Sequence, residues 1–145
     1  MFYGEYLHKL DKKNRLIIPS KFRESVTEMC IEKFYLTRGL DECIFMFSEG
    51  EWKTQESRFK AMSFTKEKAR KFQRQFFGGA FEVAPDKQWR ILVPDILKEY
   101  AGLSKIIMIV GVSSRIEIWD RDKWQEYSVS SKEEYGEIAE GLVEF

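Results

Sequence analysis

Five consecutive residues, Asp11-Lys12-Lys13-Asn14-Arg15, form the first arrangement in this chain whose types and spacing could do chemistry. Aspartate and asparagine are turn formers, because their short side chains hydrogen-bond nearby backbone N–H groups. Asp11 therefore reads as the brace of a tight turn and Arg15 as the side chain that the turn presents. Lys9, Lys12, Lys13, Lys21 and Arg23 surround them, so the window 9–23 carries six basic residues against one acid. The planar fork of arginine matches guanine O6 and N7 in the major groove of DNA, while lysines chiefly neutralise phosphates. A narrow β-hairpin can enter that groove as a two-stranded ribbon. On this reading Arg15 reads bases or clamps a phosphate, and Lys9, Lys12 and Lys13 supply the salt-dependent attraction. The bland reading is a solvated hairpin in which Asp11 and Arg15 merely pair, and the residues alone leave both open.

The same pattern returns 75 residues later as Asp86-Lys87-Gln88-Trp89-Arg90. Gly4 matches Gly79, Asp11 matches Asp86, Lys12 matches Lys87, Arg15 matches Arg90 and Pro19 matches Pro94. Three aliphatics follow the arginine in both copies, Leu16-Ile17-Ile18 and Ile91-Leu92-Val93. Farther on the spacing becomes 72, pairing Gly39 with Gly111, Ile44 with Ile116, Phe47 with Trp119 and Trp52 with Trp124. One D-x-x-x-R is a common accident. Two in register, each followed by three aliphatics and a proline, are a duplication. The second copy is less basic, with Glu82 and Asp95 beside it. Arg90 and Lys87 could touch DNA beside Arg15, or Arg90 could be structural with Trp89 packed over its stem.

Other chemistries find little support. His8 is the only histidine, so any nucleophilic triad would have to run through it, and neither cysteine is close to it in sequence. Cys30 and Cys43 have no CxxC spacing, and a tetrahedral zinc site wants four Cys or His ligands, so no metal site is expected and both thiols read as free and partly buried. The sequence has no Walker loop and no GxGxxG. We therefore expect no enzyme and no cofactor. No run of about 18 apolar residues is present and the first residues lack the order of a secretory signal, which points to the cytoplasm. Formal net charge is zero, but residues 1–75 hold 16 Lys+Arg against 11 Asp+Glu, whereas 76–145 hold 8 against 13. Such asymmetry permits a local basic face, and equally head-to-tail self-association of unlike ends.

The elements that must position the two turns can be read in each copy. Short β-type runs at 4–10 and 15–18 flank the polar connection 11–14. Pro19 and Pro94 suit the first turn of a helix, where a missing N–H costs nothing, giving helices near 19–26 and 94–100. Strands follow near 34–37 and 43–47, and again near 105–110 and 115–119. Ser48 and Glu51 form a capping box and Asp120 caps the equivalent helix, each with a tryptophan one turn inside that reads as a core anchor rather than a base-stacking group. Between the copies Thr65 can cap a helix with Ala69, Phe72 and Phe76 on one stripe and Lys66, Lys68, Arg70, Lys71 and Arg74 on the other. Ser131 and Glu134 open a last helix rich in Glu133, Glu134, Glu137 and Glu140. The basic and acidic helices could contact one another, within or between chains, or both could be solvated.

Taken with Gly4-Glu5-Tyr6, Asp11…Arg15, Pro19…Phe22-Arg23, Asp86…Arg90 and Pro94, the tandem arrangement resembles the MraZ family, whose hallmark is two DxxxR motifs in modules of the AbrB/SpoVT type. The likeness covers about residues 1–127. It implies an α+β fold of two tandem β-α-β swapped-hairpin modules that form a pseudo-symmetric β-barrel with flanking helices. It further implies a transcriptional regulator of the division and cell-wall operon, nucleoid-associated, whose ring-shaped homo-oligomer presents many turns to repeated elements of double-stranded DNA. The organisation expected is a first module at 1–53, a basic helical segment at 54–77, a second module at 78–127 and an acidic helix at 128–145. Members of the family often carry glycine before the arginine, where Asn14 and Trp89 stand here. Asparagine tolerates a left-handed backbone but tryptophan does not, which leaves open whether the second turn has the same shape. The rival reading is an AbrB-type antitoxin or protein-interaction module that reads no operator; such antitoxins usually append a flexible tail to a single module, whereas this chain has two.

Overall fold

Side-chain alternation in the two aliphatic triplets decides where the core forms. Leu16, Ile18, Ile91 and Val93 are buried, while the residues between them, Ile17 and Leu92, face outward. That period of two is the signature of strands with one dry face. A computed structural model describes residues 1–144 and places these triplets in an α+β fold. The first repeat holds β1 (Phe2–Lys9), β2 (Arg15–Ile17), α1 (Ser20–Glu28), β3 (Phe34–Arg38), β4 (Ile44–Ser48) and α2 (Glu49–Lys60). After α3 (Glu67–Gly78), the second repeat holds β5 (Phe81–Val83), β6 (Arg90–Leu92), α4 (Asp95–Ala101), β7 (Ile106–Ser113), β8 (Arg115–Asp120) and α5 (Arg121–Leu142).

The repeats exchange strands. β1 pairs antiparallel with β7 over eight residues, from Phe2 opposite Ser113 to Lys9 opposite Ile106, and β5 pairs with β3. Each first strand thus lies on the third strand of the other repeat. The close approach of β1 to β7 requires Gly111, where a Cβ would lie 2.5 Å from the backbone of Phe2 and Tyr3. A two-fold pattern relates the halves. Leu16 faces Ile91, its own counterpart, and Phe45 of β4 faces Glu117 of β8, likewise its counterpart. The six-stranded sheet runs β1-β7-β8-β4-β3-β5, with β2 and β6 as a separate two-stranded ribbon. Leu16 and Ile91 pack in one cluster with Ile44, Ile109, Ile116 and Ile118 from the sheet. Each such aliphatic, fully buried, stabilises the fold by about 1.5–3 kcal/mol.

Several expectations are corrected. The sheet is not closed into a barrel, because β1 and β5 are its edges and do not pair with each other. The turns at Asp11 and Asp86 direct β2 and β6 to one another, so their ladder bonds never reach a sheet edge. Pro19 and Pro94 stand at the N-cap, one residue before α1 and α4. Ser48 caps α2 through the Glu51 N–H, but the Glu51 carboxylate accepts from Gln55 instead of closing the box. Thr65 does not cap α3, which starts after Lys66; its hydroxyl lies 2.7 Å from that of Ser63. No new helix opens at Ser131, because α5 runs unbroken from Arg121 to Leu142 and Ser131 donates to the Tyr127 carbonyl one turn back. Cys43 is buried as a core residue, whereas Cys30 is exposed. Trp52 is the anchor expected, stacked between Tyr35 and Phe76. Trp124 is only half-buried and packs edge-on against Trp119. α3 packs on β3 and α5 on β7 and β8, and no ion pair joins α3 to α5 among the described residues.

Candidate nucleic-acid interface

Each turn is closed by the same two backbone bonds. Asp11 N–H donates to the Arg15 carbonyl at 3.0 Å and Asn14 N–H to the Asp11 carbonyl at 3.0 Å; the counterparts at Asp86 and Trp89 measure 2.9 and 3.0 Å. The carboxylate then does the bracing. One oxygen of Asp11 accepts the backbone N–H of Lys13 at 2.8 Å and of Arg15 at 2.9 Å, and the other accepts Arg15 Nε at 2.9 Å. Asp86 repeats this with Gln88, Arg90 and Arg90 Nε at 2.9, 2.9 and 2.8 Å. The backbone N–H of the arginine, followed by the arginine side chain and the N–H of Lys13 or Gln88, holds each aspartate below its ordinary range. Both carboxylates therefore stay ionised at neutral pH and fix each arginine through Nε.

The second turn has the shape of the first, although tryptophan stands there in place of glycine. Asn14 adopts φ 60° and Trp89 φ 63°, both left-handed. What holds them differs. Asn14 donates to Asp95 and accepts from Lys98 Nζ, each at 2.9 Å, and both partners lie on α4 of the other repeat. Trp89 is half-buried at the rim of the main core, with the Arg23 guanidinium of α1 5.9 Å from its ring. Packing against the opposite repeat thus takes over the role of glycine's conformational freedom. Two reciprocal bonds then tie the turns to the ribbon, Ile18 N–H to the Trp89 carbonyl and Val93 N–H to the Asn14 carbonyl, both at 2.8 Å.

Arg15 and Arg90 stand at opposite ends of the ribbon's outward face, Arg15 opposite Leu92 and Arg90 opposite Ile17. Their side chains retain 31% and 28% exposure, so neither is sealed in the core. Among the described residues the two Nη groups of Arg15 have no hydrogen-bond partner, leaving the end of its fork open. Arg90 gives one Nη to Gln88 at 3.3 Å. Lys12 and Lys13 are exposed at the tip of the first turn, Lys87 at the tip of the second, and Lys9 at the end of β1. His8, on β1, is half-buried; burial and then the nearby Arg23 charge hold its pKa below the ordinary histidine value. Lys98 and the outward placement of Ile17 and Leu92 lie beyond the sequence expectations, which take Asn14 only as a turn former that tolerates a left-handed backbone. Alternation within each aliphatic triplet was the signal for that pair; nothing local marked the contact of Asn14 with α4.

Two strand-exchanged units in one chain, each ending its first strand in an aspartate-braced arginine turn, define a duplicated swapped-hairpin protein. A family model described as "MraZ protein, putative antitoxin-like" matches the chain twice, over residues 1–75 and 76–144. The chain belongs to the MraZ family. Among the described residues no helix is long and apolar enough to cross a membrane, and no group of three or more His, Cys, Asp or Glu is placed to hold a metal ion.

Proposed function

We propose that this protein is a sequence-specific DNA-binding regulator of transcription, acting on repeated operator elements of the division and cell-wall operon through its two DxxxR turns. The observation that carries the reading is the open fork of Arg15 held by Asp11 on the outward face of a two-stranded ribbon. Counting from Asn14 to Ile18, the ribbon spans about 13 Å at roughly 3.3 Å per residue. Laid along the major groove, that length covers about four base steps of roughly 3.4 Å each. Arginines on its face are then presented to base edges while Lys12, Lys13 and Lys87 reach the flanking phosphates, with Lys9 adding charge beside the first turn.

The chain is proposed to act as a ring-shaped homo-oligomer, whose many turns raise avidity by roughly 10² to 10⁴ where DNA repeats match their spacing. A complementary pair of surfaces supports this. Arg38, Arg58 and Arg115 line an aromatic-floored cleft, and the far end of α5 exposes Tyr135, Ile138 and Leu142 among glutamates. Surfaces of opposite kind on one chain suit head-to-tail closure. A monomeric mass by light scattering at micromolar concentration overturns this part.

The deciding experiment measures binding of the wild type and Arg15→Ala to duplexes selected by the wild type from a random pool, across a salt series. We expect the wild type to weaken steeply with salt, by a slope of about 0.9 per phosphate contact, and the variant to lose tenfold or more in affinity. Equal binding by a folded Arg15→Ala protein removes the proposed reader. The description of the family as antitoxin-like favours one second reading, a protein-binding module; capture of a toxin partner together with failure to shift any duplex supports it.

A further inference from the structure

The outward face of the ribbon carries four side chains in a checkerboard. Arg15 stands opposite Leu92, Ile17 stands opposite Arg90, and the two-fold pattern exchanges one pair for the other. Both aliphatic members reach the surface, Leu92 at 56% and Ile17 at 39% exposure. Single exposed aliphatics are ordinary on a protein surface. These two differ because strand register fixes each beside an arginine whose own position is fixed by a braced turn. Strand propensity accounts for an aliphatic at either position, but the alternation that points Leu16 and Ile91 into the core turns these two side chains toward the face that carries the arginines.

We infer that Ile17 and Leu92 are specificity residues that pack against thymine 5-methyl groups in the major groove, beside the bases taken by Arg15 and Arg90. The inference rests on the DNA-binding reading above. In the major groove thymine is marked by that methyl, and an apolar side chain is the group that recognises it. The dimensions agree. Residues two apart on one strand lie about 6.6 Å from each other, close to two base steps of about 3.4 Å, and adjacent strands lie about 4.8 Å apart. Each arginine therefore has an aliphatic neighbour within one to two base steps. The lysines of the turns are the phosphate-binding part of the same surface, so apolar readout and charge neutralisation do not compete for one position.

The test removes the methyl and nothing else. Duplexes selected by the wild-type protein from a random pool are rebuilt with deoxyuridine for each thymidine in turn, and affinities are measured for the wild type, Ile17→Ser, Leu92→Ser and Leu92→Met. The expected result is a loss of about fourfold per contacted methyl for the wild type, the value of one buried methyl group. Leu92→Ser and Ile17→Ser each become indifferent to one of those substitutions, and Leu92→Met stays sensitive. Both serine changes are on the surface, and an unchanged salt slope shows that the phosphate contacts persist. Equal affinity of the wild type for thymidine and deoxyuridine duplexes overturns this inference and leaves the DNA-binding reading standing. So does a serine variant that responds to every substitution as the wild type does, as expected if the aliphatic face docks another protein. A wild type that selects no duplex overturns both.

Discussion

Trp89→Gly sets two effects against each other at one residue, and their magnitudes decide the sign. The left-handed backbone at φ 63° costs a non-glycine residue about 1–2 kcal/mol, which glycine recovers. Against that, removing a fully buried tryptophan costs about 3–5 kcal/mol, so roughly half of that range applies to this half-buried ring. The Arg23 guanidinium over the ring adds about 0.5–1 kcal/mol, and the extra chain freedom of glycine when unfolded costs about the same again. Packing wins, and the variant should lose roughly 1–3 kcal/mol. Asn14→Gly loses two hydrogen bonds of about 0.5–1 kcal/mol each, and because asparagine tolerates the left-handed backbone its small recovery there only offsets the extra chain freedom of glycine, so this variant should lose about 1–2 kcal/mol. Urea unfolding of both variants checks this, and in a thermal melt Trp89→Gly should fall by roughly 3–10 °C. A Trp89→Gly protein as stable as the wild type would refute the claim that packing against the opposite repeat holds the second turn.

Other expected outcomes can be read from single sites. Because burial and Arg23 lower the pKa of His8, the folded state binds fewer protons there than the unfolded chain, so its contribution is complete above about pH 6.5 and declines as pH falls through the window beneath. His8→Gln should flatten that part of the stability–pH curve between pH 7.5 and 5. Thr37 is fully buried and donates its hydroxyl to the Phe76 carbonyl, tying β3 to α3; Thr37→Val should cost about 1–3 kcal/mol in urea unfolding by leaving that carbonyl unpaired. Burial raises the Cys43 thiol well above the ordinary range while Cys30 is exposed, so a chromogenic disulfide reagent should label one thiol quickly and the other only on unfolding, and Cys30→Ser should abolish the fast phase.

The braced turns were legible because their hydrogen bonds are local, linking residues two to four apart, so Asp11 and Arg15 disclose their relation by spacing alone. The aliphatic triplets disclosed a strand, and their alternation carried the inward and outward faces as well. The barrel could not be judged this way. Whether β1 meets β5 depends on edges separated by more than seventy residues, and three-residue strands such as β2 and β6 carry too little pattern to announce their partners. Propensity misled at Trp89, where a residue disfavoured in the left-handed region is held by contacts with α1 of the other repeat. It misled again at Ser131, which lies inside a continuing helix and bonds back one turn, and at Thr65, which lies in the turn before α3 with its hydroxyl on Ser63.

The duplication has a consequence that a symmetric pair of identical chains lacks. Asn14 is tied to α4 through Asp95 and Lys98, and Trp89 to α1 through Arg23, so each turn is held by the other repeat. Because both halves lie in one chain, the two ends of the ribbon have been free to differ. The first turn has Lys12 and Lys13 at its tip and an arginine fork with both Nη groups open; the second has one lysine at its tip and an Nη given to Gln88. Phosphate attraction grows with the number of cations brought to the backbone. Under the DNA-binding proposal, a duplex lying across the ribbon is therefore held more strongly at the Arg15 end than at the Arg90 end. One chain then reads an asymmetric site with a scaffold built on a two-fold pattern, and that polarity gives repeated elements a direction that a true dyad could not impose.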